Sequence, residues 1–135
     1  MALQLSVAVR NAMLDAIETA IGTSAVLKIR TGAPPASVAT ADSGTVLASL
    51  TLPSDWLAAA SSGSKAKSGT WEDASADAAG TAAHYRIYAS DGTTAHLQGT
   101  VTATGGGGDL TVDNTVFAAG QSFTITSWSI TAANS

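Results

Sequence analysis

Cysteine is absent from this 135-residue chain, and charged residues are scarce. Without cysteine there is no disulfide framework and no thiolate metal site, which excludes a small secreted scaffold held by disulfides. Charged residues make up 12% of the chain, about half the usual share in globular proteins. Ten acidic residues against six basic ones give a net charge of -4. Because a phosphate-binding surface needs clustered Lys and Arg, we expect no direct binding to nucleic acid.

Long apolar runs are missing as well. No segment approaches the roughly 18 consecutive apolar residues of a membrane-spanning helix. Arg10, Asp15 and Glu18 interrupt the apolar pattern of the first twenty residues, which a signal peptide would keep unbroken. We therefore expect a protein that is made and used without export, and no membrane partner.

What the chain contains instead is a series of short segments in which apolar and polar residues alternate. Such alternation is typical of half-buried β-strands, and about seven or eight of these segments occur with turn residues between them. A chain of this length has room for one domain with one core. The sequence therefore predicts a mainly β protein, a single domain over residues 1–135. Its expected architecture is an antiparallel β-sandwich, jelly-roll-like or immunoglobulin-like, with one N-terminal α-helix.

The helix is predicted over residues 6–21. Ser6 is a suitable N-cap, and Gly22 lies where a helix usually stops. Apolar residues recur at four-residue spacing and predict one buried face: Val9, Met13, Ile17 and Ile21. Because an isolated helix of this length is marginal in water, we expect a lid over one face or end of the sandwich. A docking arm on a partner is the alternative.

Two stretches in the second half of the chain indicate strands most clearly. Residues 82–89 and 94–103 flank Asp91-Gly92, which predicts a β-hairpin because Asp-Gly accepts the positive φ values of such turns. Residues 109–131 predict two strands joined by a turn. The alternation slips by one residue past Ser127, which predicts a β-bulge in the last strand.

The first half contains two further predicted strands, at residues 25–31 and 45–52. The connection over residues 53–69 is long for a small domain, and such connections often have a function. The four glycines at 105–108 predict a flexible linker. They do not form a phosphate loop, because no Lys-Ser or Lys-Thr follows them.

No arrangement of residues indicates a reaction. The chain has no G-x-S-x-G nucleophile motif. Its two histidines, His84 and His96, fall on the polar faces of the predicted hairpin, with no acid or cysteine spaced to complete a metal site. Glu72 and Asp73 lie in a predicted loop, where solvation is favoured over cation binding. We therefore expect no enzyme activity, no cofactor and no metal.

The three tryptophans remain as candidates for function. Trp128, on the last predicted strand, is expected in the core. Trp56 lies in the 53–69 connection, where a large flat side chain serves either the core or an interface. The candidate interface residues belong to this connection and to the short strand after it: Trp56, Leu57, Lys65, Lys67 and Trp71. For the two lysines, which serines flank, a solvated loop is the alternative.

Three segments carry a resemblance to known proteins: LQLSVAVRNAMLDAIETAIGTSAVLKIRTGAPP, TLPSDWLAAASSGSKAKSGTW and GGGGDLTVDNTVFAAGQSFTITSW. Together they resemble the cement, or decoration, proteins on the outside of tailed-bacteriophage heads, those of podoviruses in particular. The resemblance implies a β-sandwich that binds across neighbouring major capsid protein subunits as a homodimer or homotrimer and reinforces the shell. It implies a place on the capsid exterior of the virion, after a stage in the host cytoplasm during assembly. It brings no catalytic residue.

Other functions stay open at this point. One is a phage tail or fibre component, or a carbohydrate-binding β-sandwich on a fibre. Another is a small hydrolase, but the chain lacks a convergent acid, base and nucleophile. A low-charge surface rich in Ala, Ser and Thr is compatible with binding flat against a repeated lattice, where many bound copies gain from avidity.

Overall fold

The fold is described by a computed structural model over residues 3–132. β structure accounts for 36% and helix for 12%, so the chain is mainly β with one helix, which confirms the predicted class. The helix α1 spans Val7–Ile21. The strands of the described residues are β1 (Val26–Arg30), β2 (Val46–Thr51), β3 (Ser64–Ala66), β4 (Trp71–Asp73), β5 (Gly80–Thr81), β6 (His84–Tyr88), β7 (Ala95–Ala103), β8 (Leu110–Val112), β9 (Val116–Phe117), β10 (Phe123–Ile125) and β11 (Ser129–Thr131).

The helix α1 begins and ends where its cap residues predict. Ser6 has extended backbone angles, and its hydroxyl accepts a hydrogen bond from the Val9 N–H at 3.2 Å, as expected of an N-cap. Gly22 ends the helix with φ = 92°, in the left-handed region that favours glycine. Its N–H donates to the Glu18 carbonyl.

The side of α1 that packs on the sheets differs from the predicted stripe. Leu14 and Ile21 are buried and Ile17 is partly buried, whereas Val9 and Met13 remain 46% and 50% exposed. A four-residue step turns about 40° past a full turn of a 3.6-residue helix. Residues at that spacing therefore spiral away from a straight contact line, and only the last two of the four predicted residues reach the core.

The largest sheet has five strands in the order β2-β1-β6-β7-β8. β6 and β7 form the predicted hairpin, in whose turn Gly92 has φ = 70° and donates its N–H to the Ala89 carbonyl. Ile87 pairs with Leu97 and Tyr88 with Ala95, so one extra residue, His96, lies in β7 as a bulge.

β8 joins this sheet parallel to β7, so the prediction of an all-antiparallel arrangement is wrong at this edge. Six residues separate the two strands, whereas parallel neighbours ordinarily need a dozen or more. Gly105 and Gly107 allow the reversal with φ of 89° and 80°. A Cβ on Gly106 or Gly108 would come within 2.7 to 2.9 Å of the Thr102 side chain. The predicted flexible linker is instead a tight turn packed on Thr102.

The stretch at residues 109–131 does not form the predicted pair of strands joined by a turn. After β8, β9 pairs with β5, β10 with β4 and β11 with β3, all antiparallel. Residues 126–128 separate β10 from β11. The predicted bulged last strand is therefore two short strands with different partners.

One cluster of buried apolar side chains extends from Ile21 to Trp128 and receives residues from the five-stranded sheet, the β4–β10 pair and the β5–β9 pair. From the β3–β11 pair, Ile130 packs on its edge. Trp128 is 6% exposed, which confirms its predicted place in the core. The polar face predicted for β6 is covered as well, since all five residues of His84–Tyr88 are buried.

Candidate functional site

The predicted interface residues lie inside the chain, with one exception. Four of them are at most 2% exposed: Trp56, Leu57, Lys65 and Trp71. Lys67 is half-buried, and its ammonium donates to the Gly69 carbonyl and lies 5.8 Å from the Trp71 ring centre. Burial therefore corrects the expectation that Trp56, Leu57, Lys65 and Trp71 present their side chains to a partner. Of the two alternatives for Trp56, the structure shows the core.

The three tryptophans form a continuous row. The ring centres of Trp56 and Trp71 are 6.0 Å apart, and those of Trp71 and Trp128 are 5.6 Å apart, within the range of favourable aromatic pairs. Each indole N–H donates to a neighbour, respectively the Gly22 carbonyl, the Ser68 carbonyl and the Tyr85 hydroxyl. The row connects the end of α1 to the β6–β7 hairpin and is part of the body of the fold.

Lys65 links β3 to α1 through two ion pairs. Its ammonium lies 2.7 Å from an Asp15 carboxylate oxygen and 2.9 Å from one of Glu18. Burial opposes the charged amine, but the hydrogen bonds to Asp15 and Glu18 outweigh it and raise the pKa of Lys65. The hydrogen bond from Lys65, and then that from the Ala60 N–H, lower the pKa of Asp15. Lys65 is thus a buried ion-pair partner, which corrects the solvated-loop alternative for this residue.

All three charged residues of α1 bond the body of the fold. Asp15 and Glu18 bind Lys65, although the Asp15 side chain stays 52% exposed, and Arg10 Nη1 lies 3.5 Å from the Ala132 carbonyl oxygen. Beside the exposed Asp15 and Thr19, five exposed apolar residues form a surface without charge, which we call the outer face of α1: Val9, Ala12, Met13, Ala16 and Ala20. Helices at a protein surface ordinarily turn charged and polar residues to water. An apolar face left open in this way favours contact with another molecule.

Large exposed apolar side chains concentrate in the same part of the molecule. Leu3, Val7, Val9 and Met13 lie in α1 or just before it, and Val116 lies apart on β9. Aromatic side chains show the opposite distribution, because every one in residues 3–132 is at most 8% exposed. The described surface therefore offers an aliphatic contact near α1 and no open ring on which a sugar could stack.

A buried polar cluster holds the loop between β1 and β2. Arg86 is 1% exposed and donates to the Asp42 carboxylate and to two loop carbonyls. Arg30 binds the other carboxylate oxygen of Asp42 at 2.9 Å. Burial by itself would raise the pKa of Asp42, but the Tyr88 hydroxyl and the two guanidinium groups together lower it. The cluster links the loop between β1 and β2 to β1 and β6, so its role is structural.

The two histidines are not paired. His96 is exposed in the β7 bulge, whereas His84 is fully buried with its Nδ1 2.7 Å from the Gly32 carbonyl oxygen. Burial lowers the pKa of His84, so its ring is neutral near pH 7. The predicted solvated face is right for His96 and wrong for His84. Glu72 and Asp73, predicted in a loop, lie on β4.

Neither a metal site nor a membrane span is evident in the part of the chain that the structure describes. Residues 3–132 contain no group of three His, Asp or Glu side chains placed to hold a metal ion. The single helix of this range is too short and too polar to cross a bilayer.

An open groove lies beside β11. It consists of two adjoining depressions, of about 430 and 310 Å³, which share Asp109, Trp128 and Ser129. Leu97, Trp128 and Ile130 are among the residues that line it. We call it the β11 groove. The groove could not be predicted from the sequence, because strands paired with distant parts of the chain form its walls.

Comparison with models of protein families, with curated proteins and with solved structures found no match to this chain. The surface of the molecule, above all the outer face of α1, is therefore the main indication of its function.

Proposed function

We propose that this protein is a virion structural protein that binds the outside of a tailed-phage head and reinforces contacts between major capsid protein subunits. The observation that carries the proposal is the outer face of α1, an uncharged apolar helix face that the chain's own fold leaves open. The resemblance to cement proteins supports the same role. The protein would assemble in the host cytoplasm and remain on the capsid exterior, without catalytic activity.

The geometry of α1 suits a docking surface. Lys65 bonds two acidic residues of the helix, and Trp56 donates to the carbonyl of its cap residue Gly22. Both contacts fix the orientation of the outer face before a partner arrives. A pre-organised surface loses less conformational entropy on binding, so more of the apolar contact appears as affinity.

The size of the outer face suits repeated binding. A helix of 15 residues is about 22 Å long, and one such face covers less than the roughly 800 Å² per partner of a stable protein–protein interface. A single contact is therefore weak. Many copies that bind a lattice and also contact one another gain affinity through avidity, which is the situation of a cement protein on a capsid.

The proposal includes the arrangement of the sheets. We propose that the five-stranded sheet packs against the shorter sheets as a jelly-roll-like sandwich. The support for it is the shared apolar cluster, in which Ile29 and Ile87 of the large sheet join Trp71 and Ile125 of the β4–β10 pair.

Co-sedimentation with undecorated heads tests the proposal. The wild-type protein should pellet with heads, and Met13→Glu should bind at least about tenfold more weakly, because it places a charge in the apolar contact. Glu is a good helix former and Met13 is half exposed, so the variant should fold. Val116→Glu is the matched control, an exposed apolar residue outside α1. Equal binding by all three proteins, or no binding by the wild type, would contradict the proposal.

A tail or fibre component, or a carbohydrate-binding module on a fibre, is the second candidate. The burial of every described aromatic ring disfavours sugar recognition by stacking. Binding of the wild type to a glycan array, with no binding to heads, would favour this candidate over the first.

A further inference from the structure

The loop between β1 and β2, residues 31–45, lies over one face of the five-stranded sheet. Its contacts with that face are polar. Three loop carbonyls accept hydrogen bonds from Arg86 and Gln98 of the sheet: Pro35, Ser37 and Thr40. None of the residues 31–45 is buried, so no apolar core holds the loop in place. A segment of this kind opens at a small cost in free energy compared with the body of a fold.

His84 lies on β6 where this loop leaves β1. Its register partner on β1 is Arg30, and its Nδ1 lies 2.7 Å from the carbonyl oxygen of Gly32 in the loop. Because a carbonyl oxygen only accepts hydrogen bonds, Nδ1 carries the proton of the neutral ring. The other ring nitrogen, Nε2, is buried and has no hydrogen-bond partner within residues 3–132. The neutral ring fits this place, since its one N–H is used.

The charged groups of β1, β6 and the loop that face His84 already have an excess of positive charge. β1 contributes Arg30 and β6 contributes Arg86, which are 7% and 1% exposed. The loop contributes one acid, Asp42, whose carboxylate binds both guanidinium groups at 2.8 and 2.9 Å. Tyr88 of β6 also donates to this carboxylate. The single negative charge is therefore fully engaged.

β7, the other neighbour of β6, adds one acid at its edge. The register partner of His84 on this strand is the uncharged Thr100, whose hydroxyl bonds the carboxylate of Asp109. Asp109 is exposed, and water screens an exposed charge. It therefore offsets little of the positive charge beneath the loop.

A proton on His84 is costly while the loop is closed. It would put three cations beside one carboxylate and would leave an N–H at Nε2 without an acceptor in a buried place. Burial is the main cause of the lowered pKa of His84, and the guanidinium groups of Arg30 and Arg86 add to it, whereas the bond to Gly32 opposes it. Opening the loop hydrates the ring and removes this cost.

We infer that His84 is an acid-sensitive switch for the loop between β1 and β2: when its ring takes up a proton, residues 31–45 leave the sheet. The open form binds the proton more readily than the closed form. Closure is therefore complete above the ordinary histidine value of about 6.5 and weakens as the pH falls below it.

Opening would also change the charge of the surface. Within residues 3–132 no Lys or Arg side chain belongs to a fully exposed residue. The open loop uncovers Arg30 and Arg86, so a cationic face becomes accessible in acid only. This switch goes beyond the proposed function and does not depend on binding to heads.

Hydrogen exchange at about pH 7.5 and about pH 5, corrected for the intrinsic pH dependence of amide exchange, tests the inference. In the wild type the protection of residues 31–45 should fall at least about fivefold in acid, while α1 and the β6–β7 hairpin keep theirs. The pKa of Asp42 is lowered, so this acid stays ionised.

Two variants separate His84 from other groups that titrate. His84→Asn keeps a side-chain N–H in the place of Nδ1 and cannot take up a proton, so its loop should be equally protected at both pH values. His96→Asn, the same change at an exposed histidine, should behave as the wild type.

A wild-type loop whose protection does not fall, or a His84→Asn loop that opens in acid as the wild type does, overturns the inference. Loss of protection in the whole chain together with the loop also overturns it, because the switch acts on the loop alone. If His84→Asn fails to fold, an NMR titration of the wild type decides. The resonances of residues 31–45 should then follow the titration of the His84 ring, and a change that follows another group is a contradiction. Each of these failures leaves the proposed function intact.

Discussion

Trp128 is the residue on which the core depends most clearly. Its ring centre lies 5.6 Å from that of Trp71, and its N–H donates to the Tyr85 hydroxyl at 2.9 Å. Trp128→Ala should lower the free energy of unfolding by about 3–5 kcal/mol, as for other large aromatic side chains in cores, measured by urea titration. A loss below about 0.5 kcal/mol would show that Trp128 does not pack as described.

Tyr85→Phe is the matched control for this prediction. It keeps the ring and removes the hydroxyl, which leaves the buried Trp128 N–H without its acceptor, at a cost of about 1–3 kcal/mol. Burial raises the pKa of Tyr85 to about 12, so the hydroxyl stays protonated at the neutral pH of the titration. The control should therefore destabilise less than Trp128→Ala.

Lys65 gives the protein a predictable dependence of stability on pH. The pKa of Asp15 is lowered in the fold, so its contribution is complete above the ordinary carboxyl pKa of about 3.9 and is lost as pH falls through the folded value. The pKa of Lys65 is raised, so its contribution is complete below the ordinary value of about 10.4 and is lost as pH rises through the folded value.

Lys65→Met should remove the contribution of Lys65 and the main cause of the lowered pKa of Asp15, whose carboxylate keeps its hydrogen bond from the Ala60 N–H. We expect it to lower stability at pH 7 and to reduce the change in the urea midpoint on both the acidic and the alkaline side, relative to wild type. Lys67→Met is the control, because it removes a half-buried cation that has no acidic partner within salt-bridge distance among residues 3–132. A Lys65→Met profile with the wild-type slopes would contradict the account of this ion pair.

At the level of single residues, the sequence predicted apolar burial better than polar burial. The place of Trp128 followed from its position in an alternating strand. The burial of Lys65 did not, because its acidic partners lie some fifty positions earlier, in α1, and the serines beside it suggest solvent. The burial of Arg86 could not be predicted for a similar reason. Its guanidinium donates to the carbonyls of Ser37 and Thr40, and a backbone carbonyl has no sequence signature.

Among the elements, β11 offers the sharpest test of register. Ile130 directs its N–H to β3, whereas Thr131 directs its N–H to the groove. Ile130→Pro should destabilise the fold by about 1–3 kcal/mol more than Thr131→Pro, because it leaves a carbonyl of β3 without its donor. Thermal unfolding followed by circular dichroism measures the difference. Equal stability of the two variants would show that the register is shifted by one residue.

The elements with local signals were predicted from the sequence, and those with distant partners were not. α1 has its caps at Ser6 and Gly22, and the β6–β7 hairpin has its turn at Asp91-Gly92. β3, β4, β10 and β11 are three residues long and pair across fifty or more positions. The outer face of α1 was missed because four-residue spacing suggested that Val9 and Met13 face the core.

For the whole molecule, the proposed function depends on one small contact that is repeated many times. In this proposal the outer face of α1 binds the lattice. Because that contact is small, the strength of the assembly would come from many copies bound to a repeating scaffold.

The central claim is that the outer face of α1 is the surface by which this protein adheres to a capsid. A three-dimensional reconstruction of decorated heads tests it most directly. The account predicts that Val9 and Met13 pack against the major capsid protein in every bound copy. Bound copies whose outer face of α1 points to solvent, with some other surface on the capsid, would contradict it.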